Sequence, residues 1–223
     1  HRVLTFSLSD ARADPGTVFD DWVRIIDDLV DHAGVEAVPL VGVSFGGLIA
    51  VHYAAMRPHR VRALALVSTP APRARIDPRS QAYLRHPWLT LPLFAAGAGT
   101  HMLPELLAAR PTWRGRLAFA ARYVRWPLTR PINPGRMAVW VRAWIAADLE
   151  AEAQGITAPT LVVTGEPSLD RVVPVSSTLE YLTLIPGARH QTLAGTGHVG
   201  LVSRPDRFAE IITTFIEEAT EPH

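Results

Sequence analysis

Ser44 stands within Gly42-Val43-Ser44-Phe45-Gly46, a GxSxG pattern between an apolar, β-branched run and a stretch of helical composition. A serine hydroxyl is a weak nucleophile until a neighbouring base takes its proton. The pattern predicts a sharp, strained strand-to-helix turn that lifts the hydroxyl out of a sheet, with glycines on either side so that strand and helix approach without a Cβ clash. Gly47 extends that close approach. Among the nine histidines, His198 is set apart by position. It ends the Gly-rich loop Gly195-Thr196-Gly197-His198 after a short strand, where an imidazole can swing over a sheet edge toward a serine. His190 falls in or beside that strand and reads as structural; His32, His52, His59, His86 and His101 have no partner motif and read as surface or packing residues. The chain has no cysteine, which excludes disulfides, thiolate metal sites and a cysteine nucleophile.

The elements that must position these residues follow from hydrophobic periodicity. Val3 to Leu8 reads as a short strand, followed by a turn at Asp14 to Thr17 and a helix with Val18, Trp22, Ile25, Ile26 and Leu29 at helical spacing, stopped by Gly34. Val35 to Val43, Val61 to Val67 and Leu161 to Thr164 are apolar without strict alternation, the pattern of strands buried on both faces of a parallel sheet. Helices are predicted from Phe45 to Met56, Pro174 to Leu184 and Pro205 to Glu218, the last with Phe208, Ile211, Ile212 and Phe215 on one face, and a short strand from Arg189 to Leu193. Strands alternating with helices imply an α/β fold, a mostly parallel sheet with helices on both faces. Residues 71 to 150 break the rhythm with five of the six Trp, many Pro and Arg and no convincing strand, and read as a helical insertion. The expected organisation is therefore a core of residues 1–70 and 151–223 with a helical lid of residues 71–150.

Composition bounds the function classes. At 223 residues, with 48% hydrophobic and 19% charged residues, the chain suits one globular domain. All 22 basic residues are Arg against 21 acidic ones, and a net charge of +1 gives no field suited to nucleic acid. Apolar runs break at Pro, Gly or Arg short of the ~18 residues of a membrane span, and residues 1 to 20 carry no signal-peptide core. A soluble, cytoplasmic protein is expected, with its oligomeric state open, and nothing in the sequence calls for a metal or an organic cofactor.

The segment VPLVGVSFGGLIAVHYAAMRPHRVRALALVS resembles the nucleophile elbow, helix and following strand of the α/β-hydrolase superfamily. PTLVVTGEPSLDRVVP is similar to the strand and loop that supply the family's acid, and GARHQTLAGTGHVGLVSRPDRF to its last strand, histidine loop and final helix. About two thirds of the chain is covered, in the family order of nucleophile, acid and histidine. The resemblance implies Ser44 as nucleophile, His198 as base and Asp170 as the acid that orients the histidine. Asp170 comes five residues after Gly165 where the family has about three, but Arg171-Val172-Val173-Pro174 matches the family's residues on the C-terminal side of the acid; Glu166 is the rival. The resemblance also implies an oxyanion donor in the Phe45 amide. The usual second donor, after an earlier strand, has no counterpart before Ser44, and further N-terminal residues on the order of 50 are expected to carry it. The implied activity is hydrolysis of a carboxylic ester of a small, largely apolar substrate through an acyl-enzyme, with Trp88, Trp113, Trp126, Trp140 and Trp144 of the lid lining the pocket. Carbon–carbon bond hydrolysis, perhydrolase or haloperoxidase chemistry and prolyl aminopeptidase activity share the same machinery, and a slow-turnover ligand receptor would retain it.

Overall fold

The computed structural model describes residues 2–8, 11, 14–109, 113–115 and 133–221. Its elements run, in order, α1 (Val18–Ala33), β1 (Val38–Val43), α2 (Phe45–Met56), β2 (Val61–Val67), α3 (Pro78–Arg85), α4 (Pro87–Ala109), α5 (Pro134–Ala146), α6 (Leu149–Gln154), β3 (Thr160–Thr164), α7 (Val175–Leu179), α8 (Tyr181–Leu184), β4 (Arg189–Thr192), α9 (Gly200–Ser203) and α10 (Pro205–Thr220). Among the described residues the strands pair in sequence order, all parallel, in one four-stranded sheet.

Parallel pairing demands a crossover on a face after each strand, so both faces are covered and the strands are apolar on both sides. Leu64, Leu66 and Val162 point into one core with α1, α2 and Tyr181 of α8. Ala63, Ala65, Val67, Leu161 and Val163 point the other way onto Ile211, Ile212 and Phe215 of α10. That period of two accounts for the unalternating apolar runs. The apolar residues of α1 fall on one face, with Val18, Trp22, Val23, Ile26 and Val30 buried, and Gly34 at φ 70° closes it by donating its amide to Asp31. In α2, every residue from Gly47 to Ala54 is buried. A helix apolar all round is an interior helix. It therefore forms a rigid platform behind the residue that precedes it.

Register brings the C-terminal ends of the strands together. Val43 pairs with Val67, Val67 with Val163 and Thr164 with Thr192. The ladder continues one residue further, the amides of Ser44, Ser68 and Leu193 donating to Val67, Val163 and Thr164 at 2.8, 2.9 and 2.8 Å. The loops leaving this edge carry Ser44, Asp170 and His198. In open α/β sheets, ligands bind at this end.

Two expectations need correction. Val3 to Leu8 is not a strand: Val3 is 80% exposed, while Phe6 and Leu8 pack on the core and Leu8 accepts a hydrogen bond from Trp22 Nε1 at 3.1 Å. A strand exists only with a partner, and among the described residues β1 pairs only with β2. Pro39, where the β1 register slips against β2, suits such an edge. The predicted helix from Pro174 to Leu184 is also divided, into α7 and α8 at Glu180. Between β2 and β3 the described elements are the helices α3 to α6, three of them capped by a side chain: Asp77, Asn133 and Asp148 accept the amides of Ser80, Arg136 and Ala151.

Candidate active site

The turn from β1 into α2 holds Ser44 at φ 52° and ψ −127°, a backbone conformation that costs a side-chain-bearing residue about 1–3 kcal/mol. Its surroundings enforce that cost. A Cβ on Gly42 would come within 2.6 Å of Gly47 Cα and 2.8 Å of Ala50 Cβ; one on Gly47 would come within 2.0 Å of Thr69 Oγ1. These two glycines set the strand-to-helix distance. Gly46 does not share that role, since a Cβ there meets nothing within 4 Å. Gly47→Ala is accordingly expected to destabilise the protein by about 1–3 kcal/mol or more, and Gly46→Ala to be tolerated, as paired thermal melts would read.

Ser44 Oγ lies 3.0 Å from His198 Nε2, closing a contact across 154 residues of chain. On the other side of the ring, His198 Nδ1 faces Asp170 Oδ1 at 3.6 Å and has no hydrogen-bond partner among the described residues. Asp170 is buried, with only 1% of its side chain exposed, and its Oδ1 accepts the amides of Val172 and Val173 at 3.2 and 3.0 Å. Those two donors fix the carboxylate toward the ring; a shift of a few tenths of an ångström would complete the bond, as catalytic contacts often do only with substrate in place. Glu166 is turned away: its Oε1 accepts the amide of Gly195 at 2.6 Å and its own amide donates to Thr196. It ties the acid loop to the start of the histidine loop. Phe45 begins α2, where a helix amide has no intrahelical acceptor and is free to meet an anion.

The other histidines lie elsewhere. His190 on β4 contacts Thr164 Oγ1 at 2.9 Å, and partial burial pushes its ring below the usual imidazole range. His52 meets Glu152 at 2.9 Å, and His101 Nδ1 donates to the carbonyl of Arg171 at 2.6 Å.

The tryptophans divide. The Trp140 ring stands 6.0 Å from that of Phe45 and 6.1 Å from that of Trp22, beside the residue that follows the serine. Trp144 is partly buried and donates Nε1 to the Pro72 carbonyl at 2.9 Å. Trp88 and Trp113 are 63% and 66% exposed. Trp126 lies outside the described residues. Among the described residues no group of three or more His, Asp or Glu side chains could hold a metal ion, and no helix is long and apolar enough to cross a membrane.

One buried group was not anticipated. Glu105 on α4 is 1% exposed, its Oε2 accepting the amide of Val199 at 2.9 Å and its Oε1 the hydroxyl of Ser203 at 3.1 Å. Its trace in the sequence is a lone carboxylate in the apolar run Met102-Leu103-Pro104-Glu105-Leu106-Leu107.

Comparison with known proteins agrees with this architecture. The family model described as "alpha/beta hydrolase fold" matches residues 5–205. The chain is 26% identical to a 2-hydroxymuconate semialdehyde hydrolase of Pseudomonas putida, over 99% of this chain and 77% of that protein. It is 28% identical to a pimeloyl-[acyl-carrier protein] methyl ester esterase of Photobacterium profundum, over 85% of this chain and 74% of the other. Among solved structures, a hydrolase from Pseudomonas aeruginosa superposes with a TM-score of 0.66 at 25% identity, covering 91% of this chain and 72% of that one.

Proposed function

The chain belongs to the α/β-hydrolase family, and from that premise we propose that it is a serine hydrolase cleaving a carboxylic ester of a small, largely apolar substrate, with Ser44, His198 and Asp170 as its catalytic residues. The observation that carries this reading is the 3.0 Å contact between His198 Nε2 and Ser44 Oγ, made at a strained strand-to-helix turn. In the proposed reaction His198 Nε2 takes the Ser44 proton as Oγ attacks the ester carbonyl, and the Asp170 carboxylate opposes the charge that develops on the imidazole. The Phe45 amide supports the oxyanion. His198 then returns the proton to the leaving alcohol, and water, activated by the same ring, frees the acid. In this reading residues 71–150 form a lid over a core of residues 1–70 and 151–223, and the packing of Trp140 beside Phe45, their ring centroids 6.0 Å apart, makes it the tryptophan best placed to meet an apolar acyl or alcohol group.

A carbon–carbon hydrolase is the second reading, supported by the relative that acts on 2-hydroxymuconate semialdehyde and is matched over 99% of this chain. A panel of p-nitrophenyl esters of rising acyl length, run beside 2-hydroxymuconate semialdehyde, separates the two. Faster turnover of a short or medium ester supports the ester reading, and faster loss of the semialdehyde chromophore replaces it. Labelling of Ser44 by a fluorophosphonate with no turnover of either substrate would point instead to a slow-turnover receptor.

A further inference from the structure

We propose that Glu105 is a positioning residue: α4 uses its carboxylate to hold the loop that carries His198, while His101, one helical turn earlier, holds the loop that carries Asp170. The inference rests on the proposed function for its catalytic consequence and on geometry for the brace itself. Residues four apart on a helix share a face. On that face of α4, His101 Nδ1 donates to the carbonyl of Arg171, the residue after Asp170, and Glu105 Oε2 accepts the amide of Val199, the residue after His198. Glu105 Oε1 adds the hydroxyl of Ser203 at 3.1 Å, so the loop is held at both ends of its short continuation through α9.

Gly197 shows how close the three segments come. A Cβ there would stand 2.5 Å from the carbonyl oxygen of Leu169, which precedes Asp170, and 2.9 Å from Glu105 Oε2. Acid loop, histidine loop and α4 meet at this residue, directly before the imidazole. Burying a carboxylate is costly unless donors satisfy it, and in an apolar helix segment a leucine would pack at no such cost. Both donors that Glu105 meets belong to the histidine loop and its continuation. A displacement of that loop by a fraction of an ångström alters both the 3.0 Å contact to Ser44 and the 3.6 Å approach to Asp170.

The test uses Glu105→Asp, which keeps the carboxylate but withdraws it by one methylene, and Glu105→Gln, which keeps the length and an acceptor oxygen. Alanine is avoided because it would leave a cavity and two unpaired donors. With a parent labelled on Ser44 by a fluorophosphonate, Glu105→Asp is expected to lose about tenfold to a hundredfold in kcat on a p-nitrophenyl ester, with KM nearly unchanged, and Glu105→Gln to recover most of it. A purely structural role would lower the melting temperature and leave kcat per folded molecule intact. Glu105→Asp with parental kcat overturns the proposal, and so does Glu105→Gln as slow as Glu105→Asp. A parent that fails to label on Ser44 defeats the proposed function instead, and amide exchange then decides the brace alone. Faster exchange at Val199 in Glu105→Asp than in the parent supports it, and equal exchange overturns it.

Discussion

Ser44→Ala is expected to lower kcat on an activated ester by a factor on the order of 10^6, the scale seen when a serine nucleophile is removed, while the folded protein melts close to the parent. The fold survives because Ala occupies the φ 52° conformation no less easily than Ser and the backbone bond from residue 44 to Val67 is kept. Ser44→Gly sharpens the test. Glycine meets no Cβ penalty at positive φ, so this variant should be as inactive as Ser44→Ala and more stable than the parent by about 1–2 kcal/mol. Steady-state hydrolysis alongside thermal melts reads both outcomes. Turnover by Ser44→Ala within about tenfold of the parent would remove Ser44 from the mechanism.

Asp170→Asn is expected to slow turnover by about a thousandfold without unfolding the acid loop. The Val172 and Val173 amides, which now donate to Oδ1, would hold the asparagine oxygen in the same place, facing His198 Nδ1. Geometry and tautomer are thereby kept, and the loss falls on the missing charge. A carboxylate about 4 Å from an imidazolium at an effective dielectric of ~20 is worth about 4 kcal/mol, or roughly three decades of rate. Glu166→Gln should cost less than about tenfold, since a side-chain amide oxygen can still accept from Gly195. Equal losses in the two variants, measured as kcat on the same ester, would make Glu166 a partner in the chemistry and dissolve the distinction drawn between the two acids.

The elbow was legible in the sequence because its motif is local, even though Thr69 and Val67, which hold it, come later in the chain. Gly42, Ser44 and Gly47 lie within one turn, and the apolar runs on either side could only be a buried strand and a buried helix. The bounds of α2 and β2 follow from Pro58 and from the return to β-branched residues. Val3 to Leu8 misled because alternation records which side chains want burial, whereas a strand also needs a neighbouring edge that no local pattern reports. The divided role of the glycines was equally out of reach: Gly46 fits the motif, yet only Gly42 and Gly47 face atoms that a Cβ would strike. Glu105 was illegible for a related reason. A single acid in an apolar run announces that something must satisfy it, but its donors stand 94 and 98 residues further along the chain. The lid tryptophans read alike in sequence, and only the packing of α5 against α1 and α2 separates Trp140 from the solvent-facing Trp88.

The separation of 154 positions between Ser44 and His198 bears on how the proposed reactivity would be acquired during folding. The β1–α2–β2 unit spans contacts no further apart than its own thirty residues, from Val38 to Val67, so its loop-closure cost is small and it can form early. The strained serine is built into that unit. The imidazole is not: its loop follows β4, which pairs with β3 and not with that unit. On the proposed mechanism, a molecule with only that unit formed would carry the serine without its base, and reactivity would wait for β3 and β4 to dock. Complete folding would then act as a safety catch on the proposed chemistry, a half-folded chain having no armed nucleophile to turn on its neighbours.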